Sequence, residues 1–89
     1  MKHYNITVRG RVQGVFFRDS ARKEARLRGL KGFVKNRNDG SVYIEAEGDS
    51  EQLNAFVRWC RQGPEYARVE DVEIEHGEVR NYRGFEVVY

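Results

Sequence analysis

Between Lys2 and Arg9 the apolar residues Tyr4, Ile6 and Val8 alternate with His3, Asn5, Thr7 and Arg9, the period of two expected of a strand with one buried face. Beyond Gly10 and Gly14 the period changes. Phe17, Ala21 and Ala25 form an i, i+4 row among Arg, Lys and Glu, which predicts an amphipathic helix stopping at Gly29, with Leu30 folding back as the apolar residue after the cap. Residues 32–35 and 41–47 carry Phe33, Val34, Val42, Tyr43, Ile44 and Ala46 on either side of the turn-forming run Asn36-Arg37-Asn38-Asp39-Gly40, which reads as a β-hairpin. Asp49 or Ser50 is placed to cap a second helix, whose Leu53, Phe56, Val57 and Cys60 fall at i, i+3, i+4 and i+7 ahead of Gly63-Pro64. Two more strands are expected, a less regular one over 67–75 with Val69, Val72 and Ile74, and a cleaner one over 84–89 with Phe85, Val87 and Tyr89.

The order β-α-β-β-α-β-β contains two split βαβ units joined by a hairpin. It predicts an α+β, ferredoxin-like α/β sandwich: a mostly antiparallel sheet with two helices on one face, extended by a C-terminal strand. With 89 residues, no internal repeat and no Pro- or Ser-rich linker, residues 1–89 are expected to form a single domain.

Composition then narrows the chemistry. The apolar runs are far too short for a membrane span, and residues 1–4 lack the apolar stretch of a secretory signal, so a cytoplasmic protein with no membrane contact is expected. One Cys leaves no internal disulfide, and with only His3 and His76 beside Cys60 a four-ligand zinc site would need scattered carboxylates. No metal or cofactor is expected, and a Ser-His or Cys-His nucleophile is hard to assemble. A net charge of +2 is too small for sequence-blind nucleic-acid binding, although 12 of the 16 basic residues are Arg, whose planar fork matches phosphate. Cys60 falls on an apolar helix face and is expected in the core, Trp59 lies off the main stripe and is expected to be partly buried, and His3 and His76 are expected at the surface.

In a split βαβ unit strands one and two run parallel, so the loop leaving the first strand and the hairpin after the second share one end of the sheet. The loop is Gly10-Arg11-Val12-Gln13-Gly14-Val15-Phe16-Phe17-Arg18. Its glycines permit a tight curl of backbone N–H groups at a helix N-terminus, and Arg18 in the first helical turn can add a fork to the same anion. It lacks the G-K-[ST] ending of a nucleotide P-loop. The hairpin contributes Asn36, whose amide is both donor and acceptor.

Together these segments carry a resemblance. G-R-V-Q-G-V-F-F-R resembles the G-x-V-Q-G-V-x-F-R signature of the acylphosphatase family, and G-F-V-K-N-R-N-D-G-S-V is similar to its second signature, G-[WF]-V-x-N-x-x-D-G-x-V. Gly63-Pro64 after the second helix and the ending Gly84-Phe85-Glu86-Val87-Val88-Tyr89 also match the family pattern. Phe33 stands where Trp is commoner and Glu65 replaces a second Pro, neither of them positions to which the family gives a chemical role. The resemblance implies hydrolysis of a small acyl phosphate to a carboxylate and inorganic phosphate. Arg18 and the backbone amides of Val12, Gln13, Gly14, Val15, Phe16 and Phe17 would bind the phosphoryl group, and Asn36 would orient the attacking water. A monomer without metal, cofactor or nucleic-acid partner is expected. If the last strand runs beside the second, the Tyr89 terminus would reach the same end, where its carboxylate could pair with Arg18.

Two other readings compete. RNA-recognition motifs share the βαββαβ order, and Lys31-Gly32-Phe33-Val34 superficially matches part of their signature, but the third strand offers Tyr43 alone where alternating aromatics are needed. A non-catalytic acylphosphatase-like domain is the other.

Overall fold

A computed structural model describes all 89 residues. The elements follow the expected order: β1 (Lys2–Arg11), α1 (Phe17–Leu27), β2 (Lys31–Asn36), β3 (Val42–Gly48), α2 (Ser50–Gln62), β4 (Arg68–Gly77) and β5 (Phe85–Val88). The sheet is ordered β4-β1-β3-β2-β5, antiparallel throughout except that β5 runs parallel to β2 at one edge. Register places Ile74, Ile6, Ile44, Val34 and Val87 in one row across all five strands. This row belongs to the face on which the helices lie. α1 meets it with Phe17, Ala21 and Ala25, and α2 with Leu53, Phe56, Val57 and Cys60, all buried. Trp59 is partly buried, packing on Phe17 at 5.4 Å and stacking on Phe56 at 6.0 Å between ring centroids. Neither helix is long and apolar enough to cross a membrane.

Local details agree with the capping logic at one helix end and depart from it at another. At the end of α1 the Leu30 amide donates to the Ala25 carbonyl (2.9 Å) and the Gly29 amide to Arg26 (3.1 Å), the bond pair that closes a helix through a left-handed residue. At the start of α2 Asp49 occupies the cap position, but its side chain makes no capping bond; neither candidate cap acts as one. β1 also runs two residues beyond the alternating pattern. A bulge between Arg9 and Gly10 shifts its register against β4, and Gly10 (φ 126°) makes this possible because a Cβ there would lie 2.2 Å from the Arg68 carbonyl oxygen. The bulge carries the chain forward into the loop that follows.

His3 corrects the sequence reading. Alternation places it on the face away from the helices, and it does point there, yet it is 2% exposed. The reason is tertiary: the connection from β4 to β5 crosses this end of the sheet and covers it. Glu47, itself 1% exposed, ties the connection down by accepting from His3 Nδ1 (2.7 Å), the Arg80 amide and the Tyr82 amide (3.0 Å). The Tyr82 hydroxyl donates to Glu45 (2.8 Å) and its ring meets Phe33 edge-on at 5.9 Å. His76, by contrast, is exposed as expected.

Burial pushes the Glu47 carboxyl up, but the Arg80 amide, His3 and the Tyr82 amide together outweigh it and hold it below the ordinary carboxylate range. A depressed carboxyl contributes stability that is fully present above its unfolded pKa and is lost as pH falls through the folded one, so this site makes the fold acid-sensitive. Glu47→Gln is therefore expected to cost roughly 1–3 kcal/mol at neutral pH, since the replacement leaves donors facing donors. Urea unfolding at pH 7 and pH 3.5 should show a smaller gap between the two pH values in the variant than in the parent. An equal gap would show that Glu47 does not carry the acid sensitivity.

Candidate active site

The site forms where β1, α1 and β2 meet. Because β1 and β2 both pair antiparallel with β3, they point the same way, and the loop 12–16 and the hairpin 37–41 emerge side by side. From Val12 to Phe16 no backbone N–H donates to any carbonyl or side chain; the first amide with a helical partner is that of Ser20, to Phe16 O (3.1 Å). These donors and those of the first turn of α1 are the unsatisfied groups a helix start leaves. Gly14 (φ 73°) and Phe16 (φ 63°, ψ 22°) are both left-handed. Left-handed residues of this kind can turn successive N–H groups to one side, the arrangement that suits an anion, and here they stand in front of the positive end of α1. For Phe16 the conformation is unfavourable, and its side chain is 74% exposed as well. Strain and exposed apolar surface at one residue are the kind of cost that accumulates at working sites.

Arg18, on the first turn of α1, differs from the other arginines of this segment. Arg22 pairs with Asp19, Arg26 with Glu86 (3.4 Å) and Arg28 with Glu24 (2.7 Å), whereas Arg18 meets no carboxylate. It is held instead by neutral groups. Its guanidinium lies over the Tyr89 ring, 4.7 Å from the centroid, and Nη1 donates to the Val88 carbonyl (3.4 Å). The chain end thus reaches Arg18, as the parallel β2-β5 pairing requires, but through a ring and a carbonyl and not through the expected carboxylate pair. A cation without a counter-charge remains available to an anion.

Asn36, the last residue of β2, has a buried Oδ1 with no hydrogen-bond partner. Nδ2 makes no protein hydrogen bond either, so neither half of this amide is satisfied by the protein. The next residues are tightly organised: Asp39 Oδ1 accepts from the Ser41 amide (2.9 Å) and hydroxyl (2.6 Å), and the Arg37 amide donates to Ser41 O (2.9 Å). These Ser41 bonds hold the Asp39 carboxyl below its usual range.

A cleft of about 290 Å³ joins these parts, lined by Val12, Gly14, Phe16, Phe17, Arg18, Asp19, Asn36 and Tyr89. Of the residues singled out in the sequence, Arg18, Asn36, Val12, Gly14, Phe16 and Phe17 line it. Val15 is buried beneath, and Gln13 turns its side chain toward the hairpin. Sequence reasoning missed Asp19 and the ring of Tyr89; only the strand order could have pointed to the latter.

The fold is a ferredoxin-like α/β sandwich with a cleft between its first loop and its hairpin. The acylphosphatase family model matches residues 4–87. An acylphosphatase of Rubrobacter xylanophilus is 48% identical over 87 residues, 97% of this chain and 79% of that protein, and one from Archaeoglobus fulgidus is 48% identical over 84 residues, 94% of each. The crystal structure of acylphosphatase from Bacillus subtilis superposes with a TM-score of 0.97 at 41% identity over the whole of both chains. The chain belongs to the acylphosphatase family.

Proposed function

We propose that residues 1–89 work as one acylphosphatase domain, hydrolysing the carboxyl-phosphate bond of a small acyl phosphate by direct attack of water at phosphorus. The observation that carries this reading is an arginine without a counter-charge and an unsatisfied asparagine amide facing one cleft. The Arg18 fork and the free amides of residues 12–17 bind the phosphoryl oxygens and take up the charge that develops there. Asn36 orients the water. Asn36 lines the cleft, and its side-chain amide holds the attacking water so that a lone pair of the water oxygen is directed at phosphorus. The new P–O bond forms as the bond to the acyl oxygen breaks, the electron pair departs with the carboxylate, and the water proton passes to a phosphoryl oxygen. A carboxylate is a weak base and a stable leaving group, so no general acid is required, and a loose transition state asks little of a general base.

Phe16 and Tyr89, both exposed, stand at the rim where the acyl group would leave the cleft. Such an open rim suits substrates of varied acyl structure. A monomeric protein fits the edge strand β4, whose Glu70, Asp71, Glu73 and Glu75 repel a second copy along that edge. Nucleic acid is disfavoured because the sheet face away from the helices intersperses Lys31 and Lys35 with Glu45, Glu73, Glu75 and Glu86 and offers no surplus of positive charge to a phosphate backbone. The buried free thiol of Cys60 suits a reducing cytoplasmic setting. Phosphate release from acetyl phosphate and benzoyl phosphate in the presence of EDTA tests the reading. Turnover of both well above the uncatalysed rate is expected, and the uncatalysed rate alone would refute it.

A further inference from the structure

No backbone hydrogen bond joins the loop 12–16 to the hairpin, yet two groups on different elements must meet the same substrate. One polar side chain spans the gap. Gln13 Nε2 donates both to Arg37 O (2.7 Å) and to Ser41 O (2.9 Å), 24 and 28 residues away in the chain. These carbonyls form the neck of the hairpin. Ser41 O also accepts the Arg37 amide and Arg37 O the Gly40 amide (3.2 Å), so the Gln13 amide completes a closed set of bonds at the position directly after Asn36.

We propose that the Gln13 side chain is a positioning residue for the reaction, a strut that fixes the distance between the phosphate cradle and Asn36. The division of labour gives it this role. Arg18 and the amides that hold phosphate all lie on the loop side of the gap, whereas the water-orienting group lies on the hairpin side. Loosening the strut leaves the cradle whole but lets Asn36 drift relative to the bound phosphoryl group. Rate is far more sensitive to such drift than affinity is, because a misplacement on the order of 1 Å costs roughly 100-fold in the reacting geometry. Both Nε2 hydrogens are used, so the role depends on a donor at this position. Glu would place a carboxylate against two carbonyl oxygens.

This inference rests on the role proposed for Asn36, and the test separates the two. Gln13→Ala and the isosteric Gln13→Glu are compared with Asn36→Ala and the Gln13→Ala/Asn36→Ala double variant, using acetyl phosphate as substrate and inorganic phosphate as competitive inhibitor. Each Gln13 variant is expected to lose about 10- to 100-fold in kcat with phosphate inhibition within about threefold of the parent. The double variant should be no slower than Asn36→Ala alone, since a strut has nothing left to position. Phosphate affinity falling in step with kcat, or effects that multiply in the double variant, would overturn the strut while leaving Asn36 in place. Full activity in Asn36→Ala would remove the role of Asn36 itself, and the strut with it.

Discussion

Arg18→Ala is expected to lower kcat for acyl phosphate hydrolysis by about 10³–10⁵-fold, the range that an arginine clamp supplies elsewhere in phosphoryl transfer. Phosphate inhibition should weaken too, by roughly 10- to 100-fold, because a charge-assisted hydrogen bond contributes about 1.5–3 kcal/mol to ground-state binding. The expectation follows from the company Arg18 keeps. Its neighbours on α1 are neutralised by carboxylates, and Arg18 is stacked on Tyr89 without one, so its charge is directed at whatever enters the cleft. Arg18→Lys should recover little, since a point charge can neither bridge two phosphoryl oxygens nor lie flat on the ring. Steady-state rates and phosphate inhibition constants for both variants decide the matter. Activity near the parent level in Arg18→Lys would show that charge alone suffices and that the fork geometry is not used.

Asn36→Ala has a different signature. A loss of at least roughly 100-fold in kcat is expected with phosphate inhibition nearly unchanged, because the cradle does not include Asn36. Stability should change little, because the Asn36 amide makes no hydrogen bond to the protein that the substitution would break. Thermal unfolding measured beside the kinetics therefore distinguishes a working residue from a structural one: lower Tm with proportionate loss of phosphate binding would mean that Asn36 holds the hairpin together.

Much of this was legible in the chain because the informative features are local. The alternation of β1, the i, i+4 row of α1, the cap at Gly29 and the turn-forming run Asn36-Arg37-Asn38-Asp39-Gly40 each depend on neighbours a few residues apart. The site was legible for a related reason: its parts lie in two contiguous segments, and the parallel course of β1 and β2 brings them to one end. What escaped depends on contacts between distant segments. Nothing near His3 in the sequence says that the stretch carrying Arg80 and Tyr82 will cover it, since that stretch has no hydrophobic period of its own. The Gln13 side chain was read only as a member of the loop because its partners are carbonyls, which every residue possesses. Phe16 in a left-handed conformation could not be foreseen from a residue type that disfavours it. The position of Tyr89 depended on the place of β5 beside β2, and even then its ring and not its carboxylate met Arg18.

In the proposed mechanism water held by Asn36 attacks phosphorus in a cradle of Arg18 and backbone amides. Running the phosphate-release reaction in ¹⁸O-enriched water with EDTA present, and weighing both products, tests it most directly. One ¹⁸O atom in inorganic phosphate and none in the carboxylate is the predicted result. Label in the carboxylate would place the attack at the acyl carbon and rule out attack at phosphorus.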